Sequence, residues 1–152
     1  HHLCGLNVTA LRFFTVYGPR QRPGMAIYKF TRRILEGETI ELYGDGASRR
    51  DYTYVDDIMD GLLKAIDRPF PFEVFNLGES RTVELAGLIR IIEEATGKKA
   101  VIERRPPQPG DTPITYADIG KARSMLGYSP QVGIEEGVER FVDWYRGCTE
   151  AR

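Results

Sequence analysis

Two hydrophobic patterns alternate along the chain, one typical of buried strands and the other of amphipathic helices. Residues 7–17 form a nearly unbroken run of β-branched, aliphatic and aromatic side chains that ends at Gly18, as expected of a strand buried on both faces. Shorter extended segments are predicted at 39–43, 49–55, 73–77, 100–104 and 114–117. Apolar side chains at helical spacing predict helices at about 27–36, 56–65, 83–96, 118–126 and 134–145.

Local signals mark where these helices begin and end. Asp56, Thr82 and Asp118 stand where an N-cap side chain would accept a hydrogen bond from the first turn. Gly97 and Gly127 follow the last apolar positions of two helices, as C-terminal glycines do. Strands thus alternate with helices, which predicts an α/β fold. Because the chain enters its first buried strand almost at once, we expect that strand to need neighbours from outside these residues.

The charge balance limits the partners that the protein can have. Lysine and arginine number 21 against 22 acidic residues, a net charge of −1. Without an excess of positive charge to follow a phosphate backbone, nucleic-acid binding is not expected. No apolar run approaches the roughly 20 residues of a membrane span, and no signal peptide is recognisable. We therefore expect a cytoplasmic protein without a membrane partner.

Arginine side chains stand at two positions suited to an anion. Arg20 and Arg22 lie in a glycine- and proline-rich loop after the first buried strand. Ligands of open α/β sheets bind at such strand ends, although a solvated loop is equally consistent. Arg50 precedes Asp51 in another extended segment, where a phosphate contact and a local ion pair both remain open. Asp111, in a proline-rich loop, suits a ligand hydroxyl, an arginine partner or an ordinary turn.

Several catalytic signatures are absent from the sequence. The three spaced glycines of a dinucleotide-binding turn do not occur, and none of the eight tyrosines is followed by a lysine four positions later. Neither histidine lies near a serine or a cysteine in a nucleophile arrangement. Asp56 and Asp57 are adjacent, so on a helix their side chains diverge and do not form an acid–base pair.

Six sequence segments occur in the order that is typical of one enzyme family. They are LRFFTVYGP (11–19), RPGMA (22–26), IELYGDGASRRDYTYVDDI (40–58), VFNLG (74–78), QPGDTPITYAD (108–118) and MLGYSP (125–130). Together they resemble the C-terminal part of the extended short-chain dehydrogenases/reductases that act as NDP-sugar epimerases and dehydratases, most closely the UDP-glucuronate 4-epimerases.

This resemblance implies a fold and a domain division. The chain would contain the last strands of a Rossmann-type parallel sheet and the small α/β substrate-binding domain. Residues 6–20 and about 49–78 would belong to the Rossmann side. Residues from about 21 to 48 and from 79 to 147 would form the nucleotide-sugar-binding domain. The intact family members are usually homodimers that bind a UDP-sugar.

The resemblance also implies a reaction. In this family NAD oxidises the sugar C4 hydroxyl while a tyrosine takes the hydroxyl proton, and the epimerases return the hydride to the other face of a 4-keto intermediate. The Tyr-x-x-x-Lys pair and the glycine-rich NAD loop lie upstream of His1 in the family. We therefore expect this chain to be a C-terminal portion that is inactive alone, with NAD bound mainly by the other half.

Site roles follow residue by residue from the same resemblance. Phe13 would help to shape the nicotinamide pocket, and Thr15 would contact the hexose. The other residues would bind the substrate, with Arg22 at the diphosphate or sugar, Met25 and Ala26 near the nucleotide, Leu42 and Tyr43 beside the uracil, Arg50 at the diphosphate and Asp111 on the ribose side.

Two positions depart from the family pattern. Gln108 stands where galactose-type epimerases have an arginine, which favours the glucuronate subgroup over UDP-glucose/galactose. Gly24 stands where that subgroup commonly has an aspartate, so the sugar-facing loop differs. Two alternatives remain open: a dehydratase or decarboxylase of the same family, and a non-catalytic sugar-nucleotide-binding module.

Overall fold

The protein is an α/β arrangement in which eight short strands and five helices alternate through residues 1–150, the part of the chain that the computed structural model describes. The strands are β1 (Val8–Phe13), β2 (Thr15–Tyr17), β3 (Thr39–Tyr43), β4 (Arg49–Arg50), β5 (Tyr52–Tyr54), β6 (Phe72–Leu77), β7 (Val83–Glu84) and β8 (Val101–Arg105). The helices are α1 (Ala26–Glu36), α2 (Val55–Asp67), α3 (Leu85–Thr96), α4 (Gly120–Leu126) and α5 (Ile134–Glu150). The predicted fold class is confirmed.

The strands pair two by two, and most of the pairs are parallel. β1 lies beside β6, β2 beside β5 and β3 beside β8, all parallel, whereas β4 and β7 are antiparallel. The run from β1 to β2 changes its neighbour at Phe14. The Phe14 N–H donates to the carbonyl of Leu77 at 3.2 Å, and the next N–H, of Thr15, donates to the carbonyl of Asp51 at 3.1 Å. The extended run from β1 to β2 therefore pairs with two different strands, first β6 and then β5.

The predicted long strand is correct in position but not in burial. Within β1 the side chains of Ala10, Arg12 and Phe13 are exposed, and the other three are only partly buried. In the described residues β1 has a hydrogen-bonded neighbour on one edge only, which leaves its other edge unpaired. The prediction of a strand buried on both faces is therefore wrong for this segment.

Two of the three predicted N-caps are wrong, and the third bonds to the first turn from one position further away. Asp56 lies inside the first turn of α2. Thr82 precedes β7 and accepts a hydrogen bond from Arg49 Nε at 2.9 Å. Asp118 Oδ1 accepts from the N–H of Gly120 at 2.9 Å, but it is not the residue directly before α4. Because α2 and α3 follow strands β5 and β7 without a break, strand pairing rather than a capping side chain fixes where they begin.

The helix ends predicted at Gly97 and Gly127 are confirmed, and α1 ends at Gly37 in the same way, whereas α2 and α5 extend beyond their predicted ends. Gly37, Gly97 and Gly127 follow α1, α3 and α4 with left-handed φ angles of 71°, 69° and 69°. Glycine adopts this conformation without the steric cost that a β-carbon adds. The backbone N–H of each glycine bonds to carbonyl groups of the last turn, so the helices end where the sequence indicates.

Two hydrophobic clusters stabilise the fold. The larger lies between β2, β3, β5 and helices α1, α3 and α5, and includes Tyr17, Tyr52 and Phe141. The smaller lies between β6, α2 and α4, and includes Phe75 and Tyr128. Tyr52 therefore packs with segments assigned above to the substrate domain, and Tyr128 packs with the Rossmann-side segments. The proposed domain boundaries stay a prediction.

Candidate functional site

A cleft of about 630 Å³ opens where β3 and β8 end. These strands are parallel and Tyr43 lies opposite Arg105, so their carboxyl ends meet at one edge of the pair. Tyr43, Arg105, Gln108 and Asp111 all line the cleft. Two of the residues predicted to bind the nucleotide, Tyr43 and Asp111, are thus brought together although they are distant in sequence.

Arg50 reaches this cleft through Asp111. Its Nη2 lies 2.5 Å from Asp111 Oδ1, and its Nη1 donates to the carbonyl of Arg49 at 2.9 Å. The Arg50 side chain is 22% exposed and that of Asp111 50% exposed, so the pair lies at the surface, where an isolated ion pair adds little stability. A guanidinium carries five N–H donors, and these two bonds leave donors for a further anion.

The adjacent arginine has a different role. Arg49 Nε donates to Thr82 Oγ1 at 2.9 Å, and its Nη1 lies 2.7 Å from Glu84 Oε1. Neighbouring residues of a strand point to opposite faces, which explains how two consecutive arginines separate. Arg49 ties β4 to β7, and only Arg50 faces the cleft residue Asp111.

A second pocket, of about 330 Å³, lies under the loop after β2. Arg20, Gln21, Arg22 and Met25 contribute to its lining, and Arg22 Nη2 lies 3.7 Å from Met25 Sδ. Within residues 1–150 neither Arg20 nor Arg22 forms an ion pair with a carboxylate. Both polar atoms of the Gln21 side chain are buried without a hydrogen-bond partner among the described residues. The arginines predicted to form an anion site therefore share one pocket.

The remaining predicted site residues differ in accessibility. Phe13 exposes 49% of its surface at the carboxyl end of β1. Thr15 is partly buried at the start of β2, and Ala26 is partly buried beside Met25. Leu42 is only 2% exposed and belongs to the larger hydrophobic cluster, so its side chain is not accessible to a ligand in the cleft.

Asp51 is the main feature that sequence reasoning missed. Its side chain is fully buried, and it accepts hydrogen bonds from Thr53 Oγ1 and from the N–H groups of Glu79, Ser80 and Ala117, at 2.8–3.1 Å. The local ion pair with a neighbouring arginine does not form. The partners lie far apart in sequence, so no local pattern signals this arrangement.

A second carboxyl group lies close to this network. Glu79 lines a cavity of about 200 Å³, and its Oε2 is buried without a hydrogen-bond partner in the described residues. Burial and the negative charges of Asp57 and Asp51 raise its pKa from 4.5 to about 7, against an opposing effect of Arg81. This carboxyl group therefore changes its charge near neutral pH.

Neither a membrane-spanning helix nor a metal site was found within residues 1–150. None of the helices there has the length and the apolar character that crossing a bilayer demands. No cluster of three or more histidine, cysteine, aspartate or glutamate side chains in that range is arranged to hold a metal ion.

Comparison with known proteins gives a consistent result. The family model described as "NAD dependent epimerase/dehydratase family" matches residues 1–78, just over half of the chain. A UDP-glucuronate 4-epimerase of Thermodesulfobacterium geofontis is 41% identical over 145 residues, which cover 95% of this chain and 45% of that protein. The chain therefore spans less than half the length of this relative.

Solved structures agree in fold. UDP-glucuronic acid 4-epimerase of Bacillus cereus, in complex with UDP-glucuronic acid and NAD, matches with a TM-score of 0.91 and 35% identity, over 97% of this chain and 48% of that one. DesIV, a dTDP-glucose 4,6-dehydratase of Streptomyces venezuelae, matches with a TM-score of 0.92 and 30% identity, over 99% and 47%. The predicted fold, part of a Rossmann-type extended short-chain dehydrogenase/reductase, is confirmed. The chain belongs to the NAD dependent epimerase/dehydratase family.

Proposed function

We propose that this chain is the nucleotide-sugar-binding half of an NAD-dependent UDP-sugar 4-epimerase, with UDP-glucuronate as the substrate. The observation that carries the proposal is the placement of Arg50, whose guanidinium Asp111 holds at a cleft that Tyr43 also lines. An aromatic ring, a cation and a carboxylate side by side match the base, diphosphate and ribose of a nucleotide.

Each group has a role that its chemistry supports. The Tyr43 ring is 38% exposed and offers an apolar face to the uracil. Arg50 donates to the diphosphate, where its planar fork gives two parallel hydrogen bonds that a lysine cannot provide. Asp111 accepts a hydrogen bond from a ribose hydroxyl while it orients Arg50. Met25 and Ala26 complete the nucleotide side.

The sugar end lies towards the second pocket. Thr15 contacts the hexose, and Arg22, together with Arg20, offers positive charge without a carboxylate partner among the described residues. Unpaired arginines favour a sugar that is itself an anion, which supports UDP-glucuronate over UDP-glucose. Gln108 stands in the place of a phosphate-binding arginine and supports the same choice.

NAD binds mainly to the other half of the whole protein in this proposal. The exposed Phe13 ring at a parallel strand end fits one wall of a nicotinamide pocket. When bound there, NAD would supply the hydride transfer at the sugar C4. This chain's part is to hold and orient the UDP-sugar, since positioning supplies much of the rate enhancement in such enzymes. A cytoplasmic homodimer without nucleic-acid or membrane partners completes the proposal.

A second candidate is a nucleotide-sugar dehydratase or decarboxylase on the same scaffold. The similarity to a dTDP-glucose 4,6-dehydratase over nearly the whole chain supports it. Proton NMR of the whole protein with UDP-glucuronate, and separately with UDP-glucose, distinguishes the reactions. We expect the C4 epimer from UDP-glucuronate alone. Loss of water or carbon dioxide would support the second candidate, and conversion of UDP-glucose alone would refute the choice of substrate.

The binding role can be tested on this chain with two adjacent variants. We expect UDP to bind, and Arg50→Gln to weaken that binding by about tenfold or more, because a charge-assisted bond to phosphate is lost. Arg49→Gln is the matched control, since Arg49 is engaged with Thr82 and Glu84. Isothermal titration calorimetry measures both. Equal losses in the two variants would contradict the assignment of Arg50 to the diphosphate.

A further inference from the structure

The buried carboxylate of Asp51 lies where the extended run from β1 to β2 changes its neighbour. Phe14 bonds to the last residue of β6, and Thr15 bonds to the carbonyl of Asp51 itself. Directly after β6, Glu79 and Ser80 donate their N–H groups to the Asp51 carboxylate at 2.8 and 3.0 Å. The carboxylate therefore bridges the gap that opens where the two strand pairs diverge.

The same residue joins both ends of the proposed substrate site. Asp51 is bonded covalently to Arg50, which contacts the cleft residue Asp111, and its carbonyl accepts the N–H of Thr15, on the sugar side. Its carboxylate also accepts the N–H of Ala117 at 3.1 Å, which anchors the chain segment that follows Asp111. Three separate segments of the site thus meet at one residue, two of them through its backbone and one through its carboxylate.

The acceptor capacity of this carboxylate is filled. Each oxygen receives two donors, Oδ1 from Thr53 Oγ1 and the Glu79 N–H, and Oδ2 from the N–H groups of Ser80 and Ala117. A carboxylate has about four lone-pair sites, so none remains for a ligand. Asp51 can therefore act on a substrate only through the residues that it holds.

We propose that Asp51 is a positioning residue that sets Arg50 and Thr15 at the spacing required by one UDP-sugar. This inference rests on the proposed function, because it assigns Arg50 to the diphosphate and Thr15 to the hexose. An asparagine cannot replace Asp51, since its NH₂ group would face N–H donors that need an acceptor. The segments after β6 and before α4 would then shift, and Arg50 and Thr15 with them.

Asp57 provides a matched control because it is a second buried carboxylate that accepts backbone N–H groups. It is 5% exposed, and its oxygens accept from Gln131 and Val132 at 2.8 and 3.0 Å. These bonds fix α2 to the segment before α5 and involve none of the predicted site residues. A general loss of stability would therefore affect Asp57→Asn as well, whereas a loss of positioning would affect only Asp51→Asn.

The experiment compares UDP titrations of the wild-type chain, Asp51→Asn and Asp57→Asn at a temperature where melting curves show all three folded. We expect Asp51→Asn to weaken UDP binding by about tenfold or more and Asp57→Asn by less than about threefold. NMR spectra without ligand should show displaced signals of the Thr15 amide and the Arg50 Nε–H in Asp51→Asn alone. Equal losses and equal displacements in both variants would overturn the proposal.

Two further results keep the test decisive. If Asp51→Asn does not fold, Thr53→Val replaces it in the test. This variant keeps the carboxylate and removes one of its four hydrogen-bond donors, and we expect it to displace the NMR signals of Thr15 and Arg50. Unmoved signals in that variant would refute the positioning role. A wild-type chain that does not bind UDP would reject the proposed function alone, because the ligand-free signals still decide the role of Asp51.

Discussion

The carboxyl group of Glu79 provides the sharpest test of the electrostatics near the site. Its pKa is raised from 4.5 to about 7 by burial and by Asp57 and Asp51, and one of its oxygens has no hydrogen-bond partner in the described residues. In the unfolded chain the group has its ordinary pKa. Between these two values the folded state binds more protons than the unfolded state, so the stability that this group contributes is lost as the pH rises.

The size of the effect follows from the two pKa values. The difference corresponds to about 3 kcal/mol, because one pKa unit is worth about 1.4 kcal/mol. Glu79 is partly exposed, so solvent screening reduces this to about 2 kcal/mol. The contribution is fully present below pH 4.5 and is lost as the pH passes about 7. Glu79→Gln mimics the protonated form and should remove the dependence.

Urea denaturation of the wild-type chain and Glu79→Gln, followed by circular dichroism between about pH 4.5 and 8, measures this difference. We expect equal stabilities at the acid end and a variant that is more stable by about 2 kcal/mol at the alkaline end. Glu135→Gln is the control, because Glu135 lines the same cavity but is exposed. A constant difference between wild type and Glu79→Gln across this range would refute the reasoning.

Two further predictions concern packing around the buried tyrosines. Gly137→Ala would place a β-carbon on the Tyr17 hydroxyl and should lower the free energy of unfolding by about 1–3 kcal/mol. Gly147→Ala is the control in the same helix. Its β-carbon would meet nothing within 4 Å, and it should raise the free energy of unfolding by up to about 1 kcal/mol. Tyr128→Phe leaves the carbonyl of Gly78 without its buried 3.0 Å hydrogen bond and should cost about 1–2 kcal/mol. Urea denaturation measures all three, and equal effects of the two glycine variants, or an unaltered Tyr128→Phe, would contradict these contacts.

Local sequence signals predicted the element types and the helix ends well. Three helices end at glycines, Gly37, Gly97 and Gly127. These ends were predictable because the left-handed backbone conformation depends on the residue type at that position. Helix starts were less predictable, because Thr82 bonds to Arg49 from another strand and so does not act as a cap. The hydrogen bond from Arg49 therefore outweighed the local preference of threonine for a capping position.

In the candidate site, too, the sequence predicted some features and gave no sign of others. The residue types and their order identified the family and selected Arg50 and Asp111, which the fold brings to 2.5 Å from each other. The sequence could not separate Arg49 from Arg50, because only the orientation of the strand decides which of them contacts Asp111. It also gave no sign of the buried Asp51, whose partners are 28 to 66 positions away apart from Thr53.

The parallel strand pairs have a consequence for how this chain folds. Val8 lies opposite Phe72 in one pair, and Thr39 lies opposite Val101 in another, so each pair closes a loop of more than sixty residues. Loop closure costs conformational entropy before any strand contact forms, and proteins dominated by such distant contacts fold slowly. We expect the helices to form early and the strand pairs late, which leaves the edge of β1 accessible during synthesis.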